Sequence, residues 1–311
     1  MTAHPHHRRW LALLLLCAAI VAPSCGGKDK DIVTKTGGEA DKFLFEKGTA
    51  ALDKHRWFTA REYFSRLVDN YPQSPYRPDA KLGVGDTYLG EGSSESYVLA
   101  ENEFKEFLQF YPTNQRADYA QYKLGMAHFY QMHKPGRDQS QTRMAVRELE
   151  TFVVKYPNSS LMPEVQGKLR EAKDRVGTSD YQIGYFYYKN RWYPGAIVRF
   201  KELLKEDPGF TNRDAVYYYL GEALMKVNLG AEAIPYFDRL VKEFDASEFL
   251  EKAKQRIADY KPTANPAAAP HTGTESTSVT PTATDSKPIP PGPGDPPAIK
   301  PTPAPTPPPQ R

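Results

Sequence analysis

Cysteine is almost missing from this chain: there are two in 311 residues. Cys17 lies inside an apolar leader and Cys25 stands just after it, so a processed chain would keep one thiol. One thiol makes no internal disulfide, and the fold must hold without one. A membrane-spanning run is missing too, because the longest apolar stretch, Trp10 to Val21, has 12 residues where a bilayer needs about 20. There is little excess of charge: 41 basic residues face 38 acidic ones, and the formal balance of +3 falls to +1 without Arg8 and Arg9. That excludes the basic excess of a nucleic-acid binder. No G-x-S-x-G, H-E-x-x-H or P-loop occurs. His4, His6 and His7 lie in the leader, and His128 and His133, five apart, do not share a helix face. Gly83-Val84-Gly85 sits inside a helical pattern and reads as close helix packing, not as a phosphate loop. The chain therefore reads as no enzyme, with no metal site.

What is present begins with an export leader over 1–24. Arg8 and Arg9 give it a positive start, the apolar run follows, and Ala22-Pro23-Ser24-Cys25 matches a lipobox. On this reading Cys25 becomes a diacylglyceryl-modified, acylated N-terminus, the only attached group expected. The two or three chains of such an anchor hold firmly where one would not. Gly26 stands where an inner-membrane retention signal would place Asp, which points to the outer membrane. A plain secretory leader with a chance cysteine is the competing reading. Residues 25–39 form a polar tether.

The middle of the chain repeats. Gly48, Ala60, Phe64 and Pro72 share their offsets with Gly184, Ala196, Phe200 and Pro208, and Gly221, Ala233 and Phe237 repeat the first three. These offsets fit the 34-residue tetratricopeptide pattern of paired helices. A lone pair cannot bury its apolar stripe, so neighbours must stack. The expected fold over 40–260 is all-α: a right-handed superhelix of about five hairpins with a C-terminal capping helix from about Ser247 to Asp259. Proline stops follow the second helix at Tyr71-Pro72, Tyr111-Pro112, Tyr156-Pro157 and Asp207-Pro208. Ser74 and Asn158-Ser159-Ser160 offer N-caps. The second repeat is longer by about three residues between its helices and the third by about eight. Met162–Val176 reads as an additional helix stopped at Val176-Gly177-Thr178, with Thr178 or Ser179 capping the next one.

Most of the 20 Tyr and 15 Phe fall on packing stripes. The positions that line the inner surface of such an array are held by Phe45, Leu82, Leu89, Tyr119, Tyr122 and Phe129, then by Tyr181, Tyr185, Tyr188 and Tyr218. An apolar, aromatic concavity suits an extended or helical peptide. From 261 to 311 the composition changes: sixteen prolines, no aromatic residue. Such a segment cannot offset its ordering entropy and is expected to stay extended and disordered, as a spacer or as a contact with another envelope component.

The lipobox, five repeats, the Gly136-Arg137-Asp138-Gln139-Ser140 element in the long third repeat, Lys168-Leu169-Arg170 with Asp174-Arg175, and Tyr185-Phe186-Tyr187-Tyr188 to Ala196-Ile197 resemble the BamD family of outer-membrane assembly lipoproteins. The resemblance covers about Asp41 to Ile257. It implies a non-enzymatic scaffold, lipid-anchored on the periplasmic face of the outer membrane. Its N-terminal repeats would receive the C-terminal signal of unfolded outer-membrane β-barrel proteins, and its C-terminal repeats would dock the POTRA region of the BamA insertase. Arg199 matches the family's docking arginine by count back from Pro208. A periplasmic tetratricopeptide adaptor of Tol-Pal or peptidoglycan synthesis is the alternative; Cys25 and the irregular third repeat argue against it.

Overall fold

The computed structural model describes residues 39–261; the leader, Cys25, the tether to Gly38 and the Pro-rich tail from Pro262 lie outside the described residues. Among the described residues all regular structure is helical. The elements are α1 (Ala40–Leu52), α2 (Trp57–Asn70), α3 (Arg77–Glu91), α4 (Ser94–Phe110), α5 (Ala117–Phe129), α6 (Ser140–Lys155), α7 (Met162–Lys189), α8 (Tyr193–Glu206), α9 (Arg213–Lys226), α10 (Gly230–Glu243) and α11 (Leu250–Asp259). The chain divides into two compact units within α3, at Gly83.

In the first unit, α1 packs on α2 because Gly48 leaves room for a ring. A Cβ added at Gly48 would lie 2.5 Å from Phe64, and one at Gly83 would meet the same ring at 2.5 Å. Phe64 is thereby wholly buried beside Ala60 and Leu67. Phe45 stacks on Tyr76 with centroids 5.2 Å apart.

In the second unit each helix packs on its neighbours in sequence, from α4 on α5 to α10 on α11, and α9 also touches α7. The repeat signature recurs there as contacts. Gly85 faces Phe104, Gly125 faces Leu149, Gly184 faces Phe200 and Gly221 faces Phe237, with an added Cβ meeting the partner at 2.5–2.8 Å. The alanines of the pattern, Ala100, Ala145, Ala196 and Ala233, have no exposed surface. Small residue under large apolar side chain is thus the unit of the core, and it accounts for the sequence period.

The second helix of each hairpin ends alike. Tyr71, Tyr111, Tyr156, Asp207 and Phe244 hold φ between −125° and −135° and each donates its N–H to the carbonyl four residues back. Proline follows in four of the five. The residues read as N-caps do something else. Ser74 and Ser159 accept from the N–H groups of Tyr76 and Leu161, at 3.2 and 3.1 Å, in turns that precede the helix; the N-cap of α7 is Leu161, which makes no side-chain cap bond.

The largest correction concerns α7. Val176-Gly177-Thr178 does not stop a helix, and neither Thr178 nor Ser179 caps a new one, because α7 runs unbroken for 28 residues. Gly177 is small for packing: a Cβ there would lie 2.6 Å from Phe210. Thr178 turns its hydroxyl back onto the Asp174 carbonyl at 2.6 Å, a bond that suits a helix interior. The additional helix and the first helix of the fourth repeat are one rod.

Candidate peptide-binding surface and its supports

The residues expected to line an inner surface differ in what they offer. Leu82 is 1% exposed and Leu89 8%, so both are core side chains: helix packing has closed over the positions where an open groove was expected. Phe45, in the first unit, is partly exposed beside Tyr76.

Within the second unit, α5 carries the other three. Tyr119 is partly exposed, whereas Tyr122 and Phe129, like Leu82 and Leu89, are buried in the core. The Tyr119 hydroxyl donates to the Asp86 carboxylate at 2.9 Å, and Lys123 lies 3.7 Å from the same carboxylate. Burial pushes the Asp86 carboxyl upward while Lys123 and Tyr119 oppose the shift. The Tyr119 phenol is raised by its own burial first and by Asp86 next. Tyr122 donates to Glu164 at 2.6 Å, so α7 fixes the ring that α5 presents. Cations cover these rings: Arg116 lies 4.5 Å and Lys123 5.1 Å from the Tyr119 centroid, and Lys168 lies 4.7 Å from that of Phe129. Aromatic rings fringed by cations accommodate a peptide that carries an aromatic side chain and a carboxylate.

Arg199 lies on α8 with its side chain about one-third exposed, 3.6 Å from Glu202. It borders a shallow cavity of about 300 Å³ lined by Trp192, Pro194, Val198 and Glu202. Val198 beside it is 53% exposed, so charge and apolar surface adjoin there.

The motifs in the long third repeat are architectural. The buried Gln139 amide donates to the carbonyls of Lys134 and Arg137 at 2.9 Å, and its oxygen accepts from Thr142 at 2.8 Å. Asp138 accepts from the Ser140 hydroxyl at 2.9 Å. Arg175 reaches back to the carbonyls of Met132 and His133. Arg170 pairs with Asp207 and lies 3.0 Å from Asp174, which accepts from the Thr211 hydroxyl at 2.7 Å. His128 is buried, its Nδ1 2.9 Å from Gln141 Oε1.

Comparison with known proteins gives the family. The family model described as YfiO, outer membrane lipoprotein, matches residues 38–227. The chain belongs to that family. BamD proteins are its curated relatives: the outer membrane protein assembly factor BamD of Caulobacter vibrioides is 27% identical over 224 residues, covering 72% of each chain. The BamD of Rickettsia prowazekii is 24% identical over 249 residues, covering 79% of this chain and 96% of its own. These relatives are named assembly factors, and the family is a scaffold, not an enzyme. Among solved structures, the TPR2AB-domain complex of yeast Sti1 is similar at 12% identity and a TM-score of 0.40, over 71% of this chain and 83% of that one. The family description associates the chain with the outer membrane, and no helix among the described residues is long and apolar enough to cross one. Cys25 lies outside the described residues.

Two features escaped the sequence reading. His55, Arg191 and Asn228 adopt positive φ of 53°, 61° and 63° at the same point of three hairpins. In each, the next N–H reaches the carbonyl five residues back, as Arg56 does to Ala51, Trp192 to Tyr187 and Leu229 to Leu224. Glycine usually marks that conformation, and here none does. The second feature is a clasp: the aspartate in the first turn of a hairpin accepts from a hydroxyl in the turn that ends the same hairpin, Asp118 from Ser159 and Asp214 from Ser247, both at 2.6 Å. Their sequence separation hides them.

Proposed function

We propose that this chain is a non-enzymatic scaffold of outer-membrane β-barrel assembly, held by diacylglyceryl and acyl groups on Cys25 at the periplasmic face. The α5 face around the partly exposed Tyr119 receives the aromatic C-terminal signal of unfolded outer-membrane proteins, with Arg116, Lys123 and Lys168 meeting the carboxylate and the buried Tyr122 and Phe129 supporting that face from beneath. Phe45, in the first unit, is a separate candidate contact. The C-terminal repeats dock the POTRA region of BamA, with Arg199 and the cavity beside it as the contact. The observation that carries this reading is the family match over 38–227; the cation-fringed aromatics support its peptide-binding part. No observation favours the Tol-Pal or peptidoglycan adaptor.

The test is recovery of BamA with the full-length chain from solubilised outer membranes, comparing the parent with Arg199→Glu. Loss of BamA in the variant, at unchanged thermal stability, supports the reading. Full retention removes Arg199 from it.

A further inference from the structure

A second aromatic surface has no part in the α5 site. On α7, Tyr181 and Tyr185 stack with centroids 5.9 Å apart, and Tyr185 and Tyr188 stack at 6.4 Å. On α9, Tyr219 meets Tyr185 edge-on at 4.8 Å and Tyr188 at 5.1 Å. Tyr218 touches Tyr219 at 5.2 Å and stacks on Phe249 at 4.8 Å. These rings form a connected tract, and its five tyrosines are only partly covered. Core packing is already supplied beneath them by Phe200, Phe237 and Leu220, all fully buried. The tract therefore keeps aromatic faces at the surface.

The described chain ends close by. α11 begins next to Phe249 and ends at Asp259, and Tyr260 packs against Gly230 at the start of α10. Beyond it come 50 undescribed residues, among them Lys287-Pro288-Ile289-Pro290-Pro291-Gly292-Pro293 and a further run of prolines to Pro309. Proline-rich sequence favours the polyproline II helix, which docks on aromatic-lined surfaces at small entropic cost. A connection of about 26 residues has a root-mean-square span of roughly 30 Å. That exceeds the roughly 15 Å length of α11. A tethered site of this kind sees an effective ligand concentration near the millimolar range, so a contact with a dissociation constant of about 100 μM is largely occupied.

We infer that the tract of Tyr181, Tyr185, Tyr188, Tyr218 and Tyr219, backed by the buried Phe249, binds polyproline sequence, and that its occupant is this chain's own segment from Lys287 to Pro309. The inference does not depend on the assembly reading.

The test uses the full-length chain and hydroxyl-radical footprinting read by mass spectrometry. The parent is compared with a variant in which Pro288, Pro290, Pro291, Pro293, Pro296 and Pro297 are changed to Ala, substitutions outside the helical array. Oxidation of Tyr185, Tyr218 and Tyr219 rises threefold or more in the variant, while Tyr119 and Tyr130 are unchanged. Adding a synthetic peptide of residues 287–309 restores protection. Equal rates in parent and variant overturn the inference, as does protection that disappears on dilution, which would mark a second copy as the occupant. BamA recovery, measured on the same two chains, reports separately on the assembly reading.

Discussion

The Ser159 hydroxyl donates to the Asp118 carboxylate at 2.6 Å, joining the start of α5 to the turn after α6. The same bond links Ser247 to Asp214, and the Asp41 carboxyl is held below its ordinary range first by a hydrogen bond with Ser74. The clasp thus sets where each new hairpin begins on the one before it. Asp118→Ala is expected to cost about 1.5–3 kcal/mol, the range for a hydrogen bond to a charged group. A melting point lower by a few degrees in calorimetry checks it; an unchanged melting point means the clasp contributes nothing.

Glycines at different points of the array have opposite expected effects. Gly221→Ala drives a methyl to 2.5 Å from the Phe237 ring and should destabilise by about 1–3 kcal/mol. Gly167, exposed in α7, has nothing within 4 Å of an added Cβ. Gly167→Ala should therefore stabilise by about 0.5–1 kcal/mol through helix propensity alone. Urea denaturation of the two variants separates the cases.

Arg191 is exposed and holds φ of 61°, a conformation that costs a side-chain-bearing residue about 1–2 kcal/mol. Arg191→Gly should raise stability by up to about 1 kcal/mol, glycine's larger unfolded-state entropy offsetting part of the gain. A lower denaturation midpoint would show that the Arg191 side chain contributes more than its backbone strain costs.

What was legible in the sequence divides along physical lines. The hairpins could be read because each core contact writes a small residue and a large one at fixed offsets, as Gly184 and Phe200 do. Proline after Tyr71, Tyr111, Tyr156 and Asp207 marked the helix ends because its ring forbids continuation. Gly177 misled, since a glycine that ends a helix and one that admits Phe210 look alike without the ring that meets it. Leu82 and Leu89 misled for a related reason: offsets give a face, whereas burial depends on the neighbour that covers it. The positive-φ residues were hidden because Arg191 and His55 are not glycine, and the clasps because their partners lie a whole repeat apart.

Buried phenols give an alkaline limit. Burial first, then Glu222, pushes the Tyr188 phenol from 10 to about 12, and Tyr119, Tyr122, Tyr181 and Tyr219 are also raised, each mainly by burial. The unfolded chain releases these protons near pH 10 and the folded chain holds them. Their stabilising contribution is complete below pH 10 and is lost as pH rises through the folded values. Melting temperature should fall between pH 10 and 12, with tyrosinate absorbance appearing on unfolding; a flat profile would contradict the raised values.

The α5 surface is tested by titrating the full-length chain with a peptide that ends in an aromatic residue and a free carboxylate. Binding should weaken tenfold or more in a Tyr119→Ala variant that still melts cooperatively, and further in a Tyr122→Ala, Phe129→Ala double variant if it too melts cooperatively. Amidating the peptide's C-terminus should weaken it as well, because Arg116, Lys123 and Lys168 then lose their partner. Equal affinity for all combinations would remove the surface from the account.

The most direct measurement isolates the untagged native chain from solubilised outer membranes and identifies by mass spectrometry both its N-terminal modification and the proteins that accompany it. The account predicts an acylated Cys25 as the first residue and BamA in near-stoichiometric amount. An unmodified soluble chain, or an acylated one recovered without BamA, would contradict it.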